Sequence, residues 1–184
     1  MTESIPLFQR PFYFLRHGET ETNAQRLVAG SLDTALTEAG RQQALAAAEM
    51  LAGEAITAIY SSPLQRARDT AVPVAAKLEL PIIIVADLAE RNWGVLEGQP
   101  RGSRRRGVTP EGAETSRAFA QRILCALASI DSEAPLIVGH SGVFRVLCRS
   151  VGIMEASAPV ANALPLRFEP VHGRAWNLKR LIDT

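Results

Sequence analysis

The chain has 184 residues, 47% of them hydrophobic and 21% charged, a balance that excludes disordered, collagen-like and coiled-coil classes. Its formal net charge of +1 and aromatic content of 5% supply neither a basic field nor stacking platforms for nucleic acid. The length suits a single domain over residues 1–184, and no apolar run approaches the roughly 20 residues a membrane span needs.

Pro11 to Leu15 is an apolar run broken by Arg16-His17-Gly18, which predicts a buried strand ending in a loop. Thr37 to Ala52 is rich in Ala, Leu, Glu and Gln, with Thr37 as N-cap and Gly53 just beyond, and predicts a helix. Ile56 to Tyr60 is a second strand. Ser61-Ser62-Pro63 then predicts a strand-to-helix junction, with Ser at the N-cap and Pro at the first helical position. That helix runs towards Lys77, and Pro73 is expected to kink or shorten it. Pro81 to Val85 holds a third strand. Ala86 to Glu114 is loop-dominated and carries the Arg101 to Arg106 cluster, and a loop of that length in a compact domain is usually functional.

Thr115 to Ile130 has helical periodicity, Leu136 to Val138 is a short buried strand, and Gly142 through Cys148 restarts a helix after Gly139-His140-Ser141. Leu164 to Glu169 and Ala175 to Leu181 alternate around Pro170 to Arg174, the pattern of a terminal hairpin. Strands alternating with helices imply an α/β three-layer sandwich, its central sheet mostly parallel and covered by helices on both faces.

Only Lys77 and Lys179 are lysines, so the cations are nearly all arginines, suited to planar, bidentate contact with oxyanions. Cys125 and Cys148 lie in apolar helical stretches with no Cys-x-x-Cys or paired histidines, and are expected to be reduced core thiols, with no metal site and no cofactor. Glu3 and the absence of basic residues before the first apolar positions give no export pattern, so the expected location is cytoplasmic.

Phosphoryl transfer asks for an in-line nucleophile, cations around the equatorial oxygens and an acid for the leaving oxygen. His17 follows a buried strand, abuts Arg16 and sits in a glycine-containing turn, which makes it a nucleophile candidate. His140 ends another strand directly before a helix whose first N–H groups form an anion site. A single histidine at a strand end is more often a partly exposed structural residue than a catalyst, and His140 taken alone reads that way. Arg66 and Arg68 are two apart on a helix, so only one of them can face a shared pocket. Asp87, Glu90 and Glu97 are all candidate acids by composition.

Leu15-Arg16-His17-Gly18-Glu19-Thr20 followed by Asn23 resembles the signature of the histidine phosphatase superfamily, the phosphoglycerate-mutase-like fold. Asp33 with Leu36 to Gly40, Ser61 to Ala67, Glu90 with Trp93-Gly94 and Glu97-Gly98, Pro110 to Thr115, and Val138 to Gly142 resemble further blocks of that family in its order. The resemblance implies that His17 is the residue phosphorylated and that Arg16, Arg66 and His140 complete the phosphate pocket. It implies Glu90 as the proton donor, and Asn23, Thr20 and Ser141 as substrate contacts. It selects Arg66 and leaves Arg68 as a solvated charge. Ala29 and Ala35 stand where the family often has Gln and Pro, departures that fall on substrate contacts and not on the phosphate pocket.

The function implied is hydrolysis of a small phosphorylated metabolite through a phosphohistidine at His17, without a metal or other cofactor. Alternatives are phosphoglycerate mutase-type transfer, a phosphohistidine or phosphoprotein phosphatase, and an inactive domain that binds a phosphorylated ligand. Arg101, Arg104, Arg105 and Arg106 either rim the pocket and favour a second negative charge on the substrate or form a solvated loop. Trp93 and Trp176 are expected to be packing residues, and His172 is given no role. The partner expected is the small phosphorylated substrate, with no nucleic acid and no membrane; a homodimer through a sheet edge is compatible with the fold.

Overall fold

The computed structural model describes residues 5–153, 160–171 and 175–182. In chain order the elements are β1 (Phe12–Arg16), α1 (Glu21–Ala24), α2 (Glu38–Leu51), β2 (Ala58–Ser61), α3 (Gln65–Leu78), β3 (Ile82–Ile84), α4 (Ser116–Ala128), β4 (Pro135–Gly139), α5 (Ser141–Ser150), β5 (Pro165–Pro170) and β6 (Trp176–Arg180). Among the described residues the strands form one six-stranded sheet in the order β3-β2-β4-β1-β5-β6. The pairs β2–β3, β2–β4 and β1–β4 are parallel, and the terminal hairpin β5–β6 adds to β1 antiparallel.

Both faces of β1 are buried, which is why it reads as an unbroken apolar run. Phe12 and Phe14 point to one face, where they pack with Phe119, Ile123 and Leu127 of α4 and Val143, Phe144 and Leu147 of α5. Tyr13 and Leu15 point to the other, against Ala47, Ala48 and Leu51 of α2 and Ala67, Ala71 and Val74 of α3. The chain leaving β1 thus crosses one face and the chain leaving β4 crosses the other. In an open α/β sheet, the crevice at the carboxyl ends of two such neighbours is where ligands bind.

Two expectations need correction. Helix α3 starts at Gln65, not at Pro63: its N-terminal Gln65 N–H is capped in trans by Asp33 Oδ1 at 2.6 Å, and the Ser62 hydroxyl, 3.3 Å from Leu64 N, is 2.7 Å from His140 Nε2. The helix runs towards Lys77 as expected, passing Pro73 and ending at Leu78. Cys148 is buried, which pushes its thiol up to about 12, but Cys125 is exposed and is not a core thiol. His172 lies outside the described residues.

The loop after β1 rests backbone to backbone on the first turn of α2. Thr37 caps that helix through Gly40 N at 3.0 Å, and its own N–H donates to Glu19 O at 2.9 Å. A Cβ on Gly40 would collide with the Glu19 carbonyl, and one on Gly18 would meet Gly40 O. Helix propensity alone favours Ala over Gly by about 1 kcal/mol. Overpacking against an immovable backbone costs about 1–3 kcal/mol or more. Gly40→Ala is therefore expected to lower the urea midpoint of unfolding, and an unchanged or raised midpoint would show that this loop is not held by close approach.

Candidate active site

The parallel register of β1 and β4 sets Arg16 opposite Gly139, and the His17 N–H extends the ladder by donating to Gly139 O at 2.9 Å. The next residue on each strand is a histidine. The His17 and His140 rings consequently lie side by side, with centroids 5.3 Å apart and planes inclined by 56°. His17 Nδ1 is 2.7 Å from Gly18 O. A carbonyl only accepts, so Nδ1 carries the proton and the Nε2 lone pair is free. His140 Nε2 is 2.7 Å from Ser62 Oγ, and its Nδ1 is buried without a hydrogen-bond partner.

Two guanidinium groups flank the imidazoles. Arg16, the last residue of β1, donates from Nη1 to Val160 O at 2.6 Å. Arg66, in the first turn of α3, donates from Nη1 to Leu32 O at 2.5 Å and from Nη2 to Gly30 O at 2.7 Å. The Nε of each arginine is buried and unpartnered, like Nδ1 of His140. A buried polar group left unsatisfied costs about 1–3 kcal/mol, so the two Nε groups, on arginines that line one cavity, are contacts that an oxyanion can complete. Arg16, His17 and Arg66 line a cavity of about 80 Å³; His140 is fully enclosed behind His17 and does not reach the wall.

Glu90 forms another part of the wall. Its Oε2 accepts from Gly142 N at 2.9 Å and its Oε1 from Arg91 N at 2.8 Å. The anion site expected at the start of α5 is thus filled by this carboxylate. A side chain at position 142 would collide with Glu90 and with Phe119, so only glycine allows the approach.

Asn23 and Ser141 line the cavity. Thr20 does not: it is fully buried, its hydroxyl is 2.9 Å from Thr22 Oγ1 and its backbone bridges to Leu36, so it shapes the turn. Arg68 is exposed. Arg101 and Arg104 reach the cavity, whereas Arg105 and Arg106 are exposed and line an adjoining cavity of about 320 Å³. Trp93 is at the wall, with the guanidinium carbons of Arg91 and Arg104 4.2 and 5.0 Å from its ring centre, so it is more than a packing residue.

Four residues at the site escaped the sequence reading. Arg145, one helical turn after Ser141, lines the cavity. Asn162 donates to His17 O and to Asn23 Oδ1, each at 2.9 Å. Thr70, one turn after Arg66, accepts from Gly18 N at 2.9 Å, and Ser62 meets His140. Helical spacing of four was a usable signal for Arg145 and Thr70. Asn162 carried none. Among the described residues, no three His, Cys, Asp or Glu side chains are grouped so as to hold a metal ion.

Burial, reinforced by the charges of Arg66 and Arg16, holds His17 well below its ordinary value of 6.5. His140 is held well below it by burial, then Arg66, His17 and Arg16. Both imidazoles are neutral at pH 7. Burial also lowers Arg16 to about 10, which leaves it charged there.

A family model described as the histidine phosphatase superfamily (branch 1) matches residues 12–181. The chain belongs to the histidine phosphatase superfamily. Within that superfamily it is 35% identical over 190 residues to phosphoglycerate mutase-like protein 4 of Arabidopsis thaliana, covering 92% of this chain and 78% of the relative. It is 34% identical over 170 residues to the metal-independent phosphoserine phosphatase of the same plant, covering 81% and 71%. Among solved structures, a mycobacterial glucosyl-3-phosphoglycerate phosphatase in complex with VO3 superposes with a TM-score of 0.79 at 27% identity, covering 95% of this chain and 100% of that one. YhfR of Bacillus stearothermophilus superposes equally well, with a TM-score of 0.79 at 28% identity over 95% and 98%.

The neutral histidines tie stability to pH. In the unfolded chain each takes up a proton near 6.5, whereas in the folded chain neither does until the pH is far lower. The unfolded state therefore binds more protons below that point. Stability is complete above about pH 6.5 and declines below it, by about 1.4 kcal/mol per pH unit for each histidine. Urea titrations between about pH 7.5 and 5 are expected to show this slope, and to show a flatter one in a His17→Asn, His140→Asn variant. Equal slopes in the two proteins would refute the assignment.

Proposed function

We propose that this member of the superfamily hydrolyses small phosphate monoesters, with His17 as nucleophile and Glu90 as proton donor. The observation that carries the reading is the His17 imidazole, held with Nδ1–H on Gly18 O and its Nε2 lone pair free, in a cavity lined also by Arg16 and Arg66, whose Nε groups are unpartnered. The lone pair attacks phosphorus in line with the ester oxygen, so that the P–Nε2 bond forms as the P–O bond breaks. The two guanidinium groups meet the charge on the equatorial oxygens. The Glu90 carboxyl gives its proton to the departing alkoxide. In the second step the resulting carboxylate takes a proton from water, the water oxygen bonds phosphorus, and the P–N electron pair returns to Nε2 as inorganic phosphate leaves.

Mutase-type transfer would use the same groups but requires the phosphohistidine to be shielded from water until a second hydroxyl is in place. Here the Glu97 to Pro110 segment is compact, with one 3₁₀ turn at Arg101–Ser103. That favours water as the acceptor. Glycolytic interconversion of phosphoglycerates with negligible phosphate release would overturn the hydrolytic reading. A silent phospho-ligand-binding domain is disfavoured because His17, Arg16, Arg66 and Glu90 line one cavity.

The test is a phosphomonoester panel run on wild type, His17→Ala and Glu90→Gln, with phosphoenzyme detected by mass spectrometry. His17→Ala is expected to abolish turnover and the acid-labile phosphoenzyme together. Glu90→Gln is expected to lose about 10²- to 10⁴-fold in kcat on alkyl esters and far less on p-nitrophenyl phosphate, whose leaving group needs no proton. Turnover is expected to survive chelation of divalent metal. Activity intact in His17→Ala would exclude the mechanism.

A further inference from the structure

The phosphate-facing groups leave several guanidinium groups at the site unassigned. Arg101 is held by its Nε on Leu27 O at 3.1 Å, and Arg104 by its Nε on Arg101 O at 3.4 Å. Arg104 also lies over the Trp93 ring, as does Arg91. Arg145 enters the same cavity from α5, four residues after Ser141. Trp93 and Arg104 are shared by the phosphate cavity and by the two cavities that adjoin it, so they stand at the junction through which the rest of a substrate must pass.

These cations are not neutralised. Among the described residues none of Arg101, Arg104 and Arg145 forms an ion pair with a carboxylate. Burial comes first in lowering the proton affinity of Arg104, and the charges of Arg145 and Arg101 add to it. Arg101 is lowered likewise by burial, then Arg145 and Arg26. A structural cluster of surface arginines would spread into solvent or collect acidic partners. Here half-buried guanidinium groups converge and repel one another, which costs folding energy unless an anion relieves it. Glu90 is the carboxylate near them, and it is already bonded to two backbone N–H groups.

We propose that Arg101, Arg104 and Arg145, with Trp93 as the platform that orients Arg104, form a second oxyanion subsite, so that the preferred substrate is a compact phosphate monoester bearing a further carboxylate or phosphate. The proposal rests on the phosphatase reading above and deepens it. The reacting phosphate is held by Arg16 and Arg66, and the second anion by the arginines at the junction. Planar guanidinium forks suit carboxylate and phosphate alike, so the shared chemistry is a delocalised oxyanion.

The test uses alkyl phosphates of two, three and four carbons whose far end is a hydroxyl, a carboxylate or a second phosphate. Wild type is expected to favour a charged far end over the hydroxyl by about 10- to 100-fold in kcat/KM in at least one chain length. Arg104→Met and Arg145→Met are each expected to collapse that ratio, and about 0.5 M salt to reduce it. Whether carboxylate or phosphate wins identifies the source of the anion. The same compounds are titrated by calorimetry into the His17→Ala variant, which reads the subsite without turnover. Discrimination in binding without hydrolysis in wild type would keep the subsite and sink the phosphatase reading. Hydrolysis with no preference for a charged far end, and no discrimination in binding, would overturn the subsite and leave the phosphatase reading intact. A preference that persists in both arginine variants would also overturn it.

Discussion

The site depends on one pairing, the parallel register of β1 with β4. Arg16 faces Gly139, and the ladder bond from His17 N to Gly139 O brings two imidazoles from distant parts of the sequence to one level. A shift of that register by one residue would send every side chain of β1 to the opposite face and would move His17 past His140. Phe12 and Phe14 on one face and Tyr13 and Leu15 on the other hold the register, because both faces are buried under helices. The packing of the core and the alignment of the site are therefore the same constraint.

Electrostatics at this place is organised by burial. Two neutral imidazoles sit among guanidinium groups that stay charged, and the nucleophile proposed here keeps its lone pair because desolvation and Arg66 oppose its protonation. The tautomer is fixed locally, by the carbonyl of the very next residue, and needs no distant partner. Glu90 is brought to the scene by a different device, the N-terminus of α5, where Gly142 lets the carboxylate touch the backbone. Strand register sets the proposed nucleophile and helix geometry sets the proposed acid. The two can be perturbed separately.

Much of this was legible in the residues. Apolar runs located β1 and β4, composition and caps located α2, helical periodicity located α4, and the rule that positions two apart do not share a helix face put only one of Arg66 and Arg68 in the cavity. What was not legible required contacts distant in sequence. Ser62 reads as an N-cap because Ser-Pro usually opens a helix, yet its hydroxyl serves His140, and α3 is capped from Asp33 instead. Thr20 lies in the signature but inside the turn. Cys125 has apolar neighbours in sequence and a solvent-facing position on α4. Asn162, which ties the His17 carbonyl to Asn23, has no neighbour in sequence that marks it.

Arg66 grips its loop only through main-chain oxygens, those of Gly30 and Leu32. Every amino acid supplies that oxygen. The side chain of Ala29 therefore leaves the aim of the guanidinium untouched. Position 29 is free to change in search of new ligands, while the anchor beneath it answers to the path of the backbone, which Gly30 sets with its positive φ of 54° and its lack of a side chain against Glu97.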